Sequence, residues 1–241
     1  AEDIPIRKGI GNYNASLMAN YYEIHSQSST ASSKLGTVAY ANPSVSLGWR
    51  MPVAVSGFGR MAIIEPKAQV TYVGGNDRTG DIPNRDAAEY RIDEANLFLP
   101  HRYQGKDYIL PGTRVDAGVG ATANDHYLGN VAAFAGISRR LSGTPSAGLN
   151  ANQDDIYSDY VASLSMSPAG LIDIRWSGRM SSHDFTLNES KTVASANFGA
   201  GYLNLTHSQL SQAYFTSSAD DREELSATLG QSIGAGWSVT A

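Results

Sequence analysis

The feature of this sequence that most constrains its fold is an alternation of apolar and polar residues over long stretches. In Ile156–Met166 and again in Ile172–Met180, most apolar side chains occupy every second position. Successive side chains of a β-strand point to opposite faces, so each stretch has one apolar and one polar surface. Soluble strands usually span about 5–6 residues, whereas a tilted strand needs about 9–11 residues to cross a bilayer. The alternation therefore predicts strands that cross a membrane.

The composition agrees with a membrane β-barrel and excludes several other classes of protein. Charged residues make up 17% of the chain, whereas they make up about a quarter of a soluble domain. The mean hydropathy is -0.27, as expected when polar residues facing a barrel interior dilute the lipid-facing ones. No run of about 18 apolar residues occurs, which excludes a transmembrane helix. The net charge of -5 argues against a nucleic-acid partner, and the absence of cysteine excludes a disulfide or a thiolate metal site.

The connections between the predicted strands alternate in length and polarity. Asn124–Asp125 and Pro168–Ala169 are tight turns, whereas Gly74–Gly112 and Leu141–Asp154 are long and polar. Outer-membrane barrels show this asymmetry, with short periplasmic turns and longer extracellular loops, and a soluble sandwich gives no reason for it. The sequence therefore predicts an all-β fold: an antiparallel, up-and-down transmembrane β-barrel segment of about eleven strands that belongs to a larger barrel.

The predicted strands also suggest how the chain is divided. Residues 1–12 are predicted to be a connector, and residues 13–241 a partial outer-membrane β-barrel domain. The last residues, Trp237–Ala241, end within an apparent strand, so we expect the domain to be truncated at its C-terminal end. Met51–Gly57 is predicted to be a turn, the loosest of the short ones.

No constellation for catalysis, cofactor binding or metal binding is predicted. The five histidines show no metalloprotease spacing, and no G-x-S-x-G nucleophile motif occurs. His183–Asp184 and the neighbouring Ser181 are interpreted as residues of a loop tip. Gly74–Asp77 and Asn152–Asp155 offer oxygen atoms to calcium, but neither has the spacing of a dedicated calcium loop. We therefore predict a protein that is not an enzyme and needs no cofactor.

The polar faces of the strands supply the candidate functional residues. They are predicted to face the barrel interior, either as solvated, mutually paired walls or as contacts for a passing polar head group. Gly118 and Gly120 fall on this face, where small residues relieve crowding. The predicted interior-facing residues are Lys67, Asp116, Asp173, Arg175 and Arg179. Aromatic residues near strand ends form either an interfacial girdle or ordinary strand composition: Trp49, Tyr72, Tyr127, Tyr160 and Tyr202.

Several motifs, in order, resemble one known family. The motifs are Ile64–Gln69, Ile82–Asn84, Asp93–Phe98, Gly112–Val115 and Asp155–Val161. Each motif alone is short, and their common order makes the set specific. Over roughly residues 35–200 the chain resembles the C-terminal barrel of the lipopolysaccharide-assembly outer-membrane protein family LptD, also called the organic solvent tolerance family, in its alphaproteobacterial form.

The resemblance implies a function that the pattern alone does not supply. It implies transport of lipopolysaccharide and its insertion into the outer leaflet of the Gram-negative outer membrane, with sugars in the polar interior and acyl chains leaving between strands. The implied partners are lipopolysaccharide, the outer-membrane bilayer, the plug lipoprotein LptE and the periplasmic Lpt bridge. The chain departs from the family in lacking the N-terminal jelly-roll and the cysteines of some members, and its strands number fewer than half of the family's barrel.

Two other classes of protein remain open from the residues alone. A diffusion porin or another outer-membrane barrel predicts a charged constriction loop that folds inward, and the long loop Gly74–Gly112 could form it. A soluble β-rich binding module instead predicts two apolar faces that meet in a core.

Overall fold

The computed structural model describes residues 2–6, 9–24, 36–57, 60–75, 92–102, 109, 111–143, 156–211, 221–234 and 237–240. This part of the chain is built from β-strands, with one short 3-10 turn at Pro168–Gly170. None of its helical residues belongs to a helix with the length and apolarity required to cross a membrane. The motif Ile82–Asn84 lies outside the described residues, as do most of the two calcium candidates and of the predicted loop Leu141–Asp154.

Thirteen strands form a single sheet. The strands are β1 (Glu2–Ile6), β2 (Gly9–Ile24), β3 (Gly36–Arg50), β4 (Val53–Gly57), β5 (Arg60–Val73), β6 (Gly112–Asp125), β7 (Gly129–Ser142), β8 (Tyr160–Met166), β9 (Ile172–Met180), β10 (Leu187–Phe198), β11 (Gly201–Leu210), β12 (Arg222–Gly234) and β13 (Trp237–Thr240).

The sheet is an antiparallel meander. Apart from β4, which pairs with β5, the strands neighbour one another in chain order from β1 to β13. Within the described residues β1 and β13 are the two ends of this order, so the sheet does not close on itself. Closed barrels have no such ends. The all-β, up-and-down fold predicted from the alternation is confirmed, and the open order is that of a barrel segment.

Two strands were not predicted. β1 (Glu2–Ile6) and the first residues of β2, which begins at Gly9, lie within residues 1–12, where the sequence predicted a connector. β4 occupies most of Met51–Gly57, where the sequence predicted a turn. β4 resumes the register of β3, because Arg50 faces Lys67 and, three residues further on, Val53 faces Ile64. Between these pairs stand Pro52 and Pro66, which have no backbone N–H to donate to the ladder.

The chain divides into two compact units. The first comprises residues 1–51, 67–117 and 137–158, and contains β1, β2, β3 and parts of β5–β7. In this unit β2 and β3 pair over fifteen residues from Ile10↔Arg50 to Ile24↔Gly36 without a register shift. β3 then pairs with β5 from Ser44↔Val73 to Arg50↔Lys67.

The second unit comprises residues 52–66, 118–136 and 159–241. It contains β4 and β8–β13, together with the remaining parts of β5–β7. Among the described residues, the ladders from β8 to β13 shift register between Leu187 and Glu189 in β10 and between Ser232 and Gly234 in β12. Such irregularities bend a strand and increase its twist locally.

Candidate functional site

The burial of side chains in β3 is the reverse of that in a soluble protein. Asn42, Ser44 and Ser46 are 1%, 1% and 4% exposed, whereas Val45 and Leu47 between and beside them are 46% and 63% exposed. In water, an arrangement that buries hydroxyl and amide groups and exposes branched aliphatic chains is unfavourable. It is favourable when hydrocarbon surrounds the exposed face. The first unit therefore has an apolar outer face and a polar enclosed face.

The strands next to β3 carry the same two faces. On the enclosed face, the hydroxyl of Ser44 lies 2.6 Å from that of Ser16, and the hydroxyl of Ser46 lies 3.2 Å from that of Thr71. These contacts supply hydrogen-bond partners within the protein, as buried hydroxyl groups require. The facing pairs on the outer face are exposed apolar residues, among them Tyr13↔Leu47 and Leu47↔Val70.

The second unit shows the same separation across β8–β12. Strand register places apolar residues on one face of neighbouring strands and polar residues on the other. The apolar face includes Leu164, Ile174, Trp176, Ala194, Leu205 and Ala227. The polar face includes Ser163, Arg175, Ser177, Lys191, Thr206 and Ser226.

All five predicted interior-facing residues lie on the polar faces, but in different surroundings. In the first unit, Asp116 is fully buried and Lys67 is half-buried opposite Arg50. In the second unit, Arg179 is buried, whereas Asp173 and Arg175 are exposed. The five therefore do not converge on one site. Asp116 alone is the centre of a dense set of contacts.

Asp116 accepts hydrogen bonds from three neighbouring side chains. Its Oδ1 accepts the Nη2 donor of Arg102 and the hydroxyl of Ser138, the latter at 2.6 Å. Its Oδ2 lies 3.3 Å from Nε of Arg114. Arg102 also donates from Nη1 to the Ser138 hydroxyl at 3.0 Å. Two arginines and a hydroxyl thus compensate a carboxylate that is withdrawn from water, the condition under which a buried charge is tolerated.

The same arginines hold a non-strand segment, Ile92–Arg102, against the polar face. Four successive backbone carbonyls of this segment accept side-chain donors. Arg102 donates to the carbonyl of Leu97 at 2.5 Å, Gln69 of β5 donates to that of Phe98 at 2.6 Å, and Arg114 donates to those of Leu99 and Pro100. The backbone carbonyls of a segment that pairs with no strand need such donors when they are withdrawn from solvent.

Apolar contacts and a local turn complete the docking of this segment. Leu97 is 0% exposed, and Ile92, Ile109 and Val73 are also buried. Asp93 and Asn96 form a reciprocal turn, since the backbone N–H of each donates to the side-chain oxygen of the other at 2.9 Å. The segment is therefore shaped by its own sequence and fixed by the strands beneath it.

His101 lies within the docked segment, beside this cluster. Its Nε2 is enclosed and has no hydrogen-bond partner among the described residues. Burial, and secondarily the positive charge of Arg114, lower the pKa of His101 below its ordinary value. The imidazole is therefore neutral in the docked segment at neutral pH.

A second polar cluster lies on β9 and β10 of the second unit. Arg179 and Glu189 face each other across the ladder and form an ion pair, with Nε and Oε2 3.0 Å apart. Both side chains are 9% exposed, so this pair is also largely withdrawn from water. Next to Glu189, Asn188 donates to Asp159 at 3.0 Å.

The residues that resemble a hydrolase pair form a turn instead. The hydroxyl of Ser181 accepts the backbone N–H of His183, and Oδ1 of Asp184 accepts the hydroxyl of Thr186 at 2.8 Å. Hydrogen bonds from Ser181 and Thr186 lower the pKa of Asp184. All of these contacts shape the connection between β9 and β10. In the described part of the chain, no group of three acidic or histidine side chains is placed to hold a metal ion.

The predicted aromatic residues do not all lie on the apolar face. Tyr72 shares that face with Val70 and is 52% exposed, and Tyr127 lies in the turn between β6 and β7 and is 75% exposed. Tyr202 is 37% exposed but shares the polar face of β11 with Thr206. Tyr160 is half-buried and stacks on Phe185, with the ring centroids 5.4 Å apart. Tyrosine and phenylalanine in such positions suit the boundary between lipid and water.

Sequence reasoning identified the centre of the first cluster and missed its partners. Asp116 stood out because it falls on the polar face of a strand. Arg102 lies in a segment in which apolar and polar residues do not alternate. No short sequence motif identifies it as a partner of Asp116. Ser138 sits at an alternate position of β7, where the alternation could have identified it.

An antiparallel meander with exposed apolar residues on one face and polar and charged residues on the other defines a class: the transmembrane β-barrel of the outer-membrane type. Comparison with known proteins agrees with this class and narrows it. The family model LptD, described as LPS transport system D, matches residues 5–237, and the chain belongs to that family. No curated protein matches the chain.

Membership of the family settles the alternatives that the sequence left open. The chain is part of a lipopolysaccharide-transport β-barrel of the Gram-negative outer membrane, and it is not an enzyme. The diffusion porin and the soluble binding module are therefore not its function. The predicted fold, transport function and location are confirmed.

Proposed function

We propose that the polar face of each unit contacts the sugar and phosphate groups of lipopolysaccharide on their route, and that the apolar face of each unit contacts the membrane. The observation that carries this proposal is the reversed burial in β3, where buried Ser44 and Ser46 alternate with exposed Val45 and Leu47. Hydrated sugars need hydrogen-bonding walls, whereas acyl chains need hydrocarbon. The two faces of one strand meet these two requirements.

The five predicted residues have different parts in this proposal. Asp173 and Arg175 are exposed on the polar face of β9 and are therefore accessible to a passing head group. Arg175 offers a planar fork of donors that suits phosphate. Lys67 adds a cation on β5. Asp116 and Arg179 are buried in ion pairs and support the wall rather than touch the lipid.

We propose that the barrel segment begins before residue 13, the first barrel residue predicted from the sequence. Glu2–Ile6 of β1 pairs with Gly9–Tyr13 of β2 in a regular antiparallel ladder. We therefore assign residues 2–240 to the barrel segment. The order of motifs from Ile64–Gln69 to Asp155–Val161 supports the alphaproteobacterial form of the family.

The resemblance to the family supports a proposal of two protein partners. We propose that the complete barrel holds the plug lipoprotein LptE and receives lipopolysaccharide from the periplasmic Lpt bridge. Co-purification of LptE with the complete barrel in mild detergent tests the first partner. Recovery of the barrel without LptE under conditions that preserve its fold would contradict it.

Photo-crosslinking tests the route directly. A photoreactive amino acid replaces Arg175, on the polar face, in the complete protein in its host membrane. The matched control replaces Ile172 of the same strand, which is 42% exposed on the apolar face. We expect sugar-bearing lipopolysaccharide adducts at position 175 and adducts of bilayer lipid at 172. Equal yields of the same adduct at both positions would contradict the proposal.

Depletion of the complete protein in its host tests the function as a whole. Newly made lipopolysaccharide should then fail to reach the cell surface. Unchanged surface lipopolysaccharide together with altered uptake of small solutes would instead indicate a diffusion pore.

A further inference from the structure

We propose that Ile92–Arg102 is a built-in inner segment of the lipopolysaccharide route, held on the polar face by a latch of Arg102, Arg114 and Asp116, and that it restricts the open space of that route. This inference rests on the proposed function, because only there does the polar face line a passage. It goes further by assigning a closing element and the residues that fix it.

The side of the sheet on which the segment lies is set by its contacts. Gln69, Asp116 and Ser138 are polar-face residues of β5, β6 and β7, and each contacts the segment or Arg102. The neighbours of Gln69 along β5, Ala68 and Val70, are exposed on the other face. The segment therefore covers the polar face and leaves the apolar face free for lipid.

The segment is fixed by specific contacts rather than laid loosely on the wall. Four consecutive carbonyls accept side-chain donors, and the Leu97 side chain is 0% exposed. The donors to these four carbonyls are Gln69 and Arg114 of the strands, and Arg102, which forms an ion pair with Asp116. A buried ion pair of this kind contributes geometry more than net stability, and removal of one partner leaves a buried charge uncompensated.

The Asp116 carboxylate joins the two arginines of the latch. With Asp116 neutralised, the buried Arg102 would lose the charge of that carboxylate and would still lie near the guanidinium group of Arg114. Arg114 would retain the carbonyls of Leu99 and Pro100 as acceptors, but its charge would oppose that of Arg102. The segment would leave the wall more often, because water restores the hydration of both cations.

The space that the segment occupies would then be open to solutes. Asp93, Glu94 and Ala95 of the segment are exposed. Displacement of the segment removes the Arg102 donor from the Ser138 hydroxyl and widens the polar route.

The absence of cysteine from these 241 residues makes the test direct, because an introduced thiol is the only one among them. The parent complete protein, treated in the same way, gives the background labelling. Leu97→Cys reports on docking, since Leu97 is 0% exposed, and Leu99→Cys is the matched control, since Leu99 is 50% exposed. Both variants are made in the complete protein in outer-membrane vesicles and treated with a water-soluble maleimide. Gel mobility before and after heating confirms that each barrel has folded.

We expect Leu97→Cys to be labelled slowly and Leu99→Cys rapidly in the parent protein. Addition of Asp116→Asn should raise the rate at position 97 by about tenfold or more and leave the rate at 99 unchanged. Ser138→Ala removes one hydroxyl, which donates to Asp116 and accepts from Arg102, and leaves the ion pair intact. It should therefore give a smaller increase, and it serves if Asp116→Asn fails to assemble. Entry of a hydrophilic antibiotic that is too large for ordinary porins should rise in the same order.

Three results would overturn the proposal. One is rapid labelling at position 97 in the parent, which would mean that the segment is not docked. Another is slow labelling that persists with both substitutions, which would mean that Asp116 is not the latch. The third is faster labelling without increased antibiotic entry, which would mean that the segment does not restrict the route. Failure of the proposed function would appear separately, as loss of lipopolysaccharide adducts at Arg175 in the parent.

Discussion

At the scale of single residues, two glycines of β6 that share one face have different surroundings. A Cβ atom on Gly118 would lie 2.8 Å from the Phe134 ring and 3.0 Å from the carbonyl oxygen of Ala135, whereas one on Gly120 would meet nothing nearer than 3.9 Å. The prediction that small residues relieve crowding on this face is therefore confirmed at Gly118. At Gly120 the structure shows no crowding, and the prediction is wrong there.

The two glycines form a matched pair for mutation. Gly118→Ala should destabilise the barrel by about 1–3 kcal/mol, because Phe134 is buried and the carbonyl belongs to the backbone. Gly120→Ala should be neutral or stabilising by up to about 1 kcal/mol, since alanine has less conformational entropy to lose. Urea unfolding of the complete barrel in lipid measures both. Equal destabilisation by the two substitutions would contradict the packing described for Phe134.

Removal of the Asp116 carboxylate tests how much its contacts with Arg102, Arg114 and Ser138 contribute to the free energy of unfolding. Asp116→Ala should destabilise the barrel by about 3–5 kcal/mol, because Arg102 would remain buried without its counter-charge. Asp173→Ala is the control. Asp173 is exposed and accepts one hydrogen bond, from Ser167, so its loss should change stability by about 0.5 kcal/mol or less. The same unfolding measurement compares them, and a loss at Asp116 no larger than at Asp173 would contradict the account of the cluster.

The neutral His101 predicts a pH dependence of docking. Its pKa is lowered in the docked segment, and in an undocked segment it should lie near the ordinary value of about 6.5. Docking is then fully stable above about pH 6.5 and weakens as the pH falls through the lowered pKa, because the undocked state binds the proton more readily. Protonation would also place a third cation beside Arg102 and Arg114.

The labelling rate of Leu97→Cys divided by that of Leu99→Cys measures this dependence, since the ratio cancels the pH dependence of thiol reactivity. The ratio should rise between pH 7 and the acid side of the histidine titration. Addition of His101→Gln should flatten the curve. A ratio that is independent of pH, or one that falls on acidification, would contradict the assignment of a neutral His101.

At the scale of elements, each strand of the second unit has two faces with different requirements. Leu205 lies near the middle of β11 on the apolar face, and Thr206, the next residue, lies on the polar face. Leu205→Lys should destabilise the barrel by about 2–4 kcal/mol if that position is near the bilayer midplane. Thr206→Lys should have a much smaller effect, because its ammonium group remains hydrated.

Folding of the two lysine variants into lipid vesicles, followed by urea titration, measures the difference. A loss at Thr206→Lys that matches or exceeds the loss at Leu205→Lys would reverse the two faces. If the protein folded in water without lipid or detergent, and the two substitutions lowered its free energy of unfolding equally, the sheet would be that of a soluble protein.

The elements also show how far the sequence alone could lead. Alternation placed both limits of β3 and β9 correctly, because every residue of those strands has a clear face. It missed β4, since Pro52 and Gly57 indicate a turn and a five-residue strand contains too few alternations to outweigh them. It began β8 too early, at Ile156, where the structure has a single bridge between Arg139 and Tyr157. The docked segment Ile92–Arg102 could not be predicted, because its contacts are long-range and its sequence has no period.

At the scale of the whole molecule, the account depends on which medium surrounds each face. The described strands form an open meander in which apolar residues share one face and polar residues the other, and in β3 the apolar residues are exposed and the polar residues buried. The family assignment places this meander in a lipopolysaccharide-transport barrel. Both the proposed route and the inner segment follow from the claim that hydrocarbon covers the apolar face.

Spin labels at successive positions of β3 test that claim most directly. Single cysteines replace residues 42–47 in turn in the complete protein, and relaxation by oxygen and by a water-soluble nickel chelate is measured in lipid bilayers. Labels at 43, 45 and 47 should be accessible to oxygen and shielded from nickel, and labels at 42, 44 and 46 should show low accessibility to oxygen. High oxygen accessibility at the even positions, or no alternation along the strand, would contradict the account.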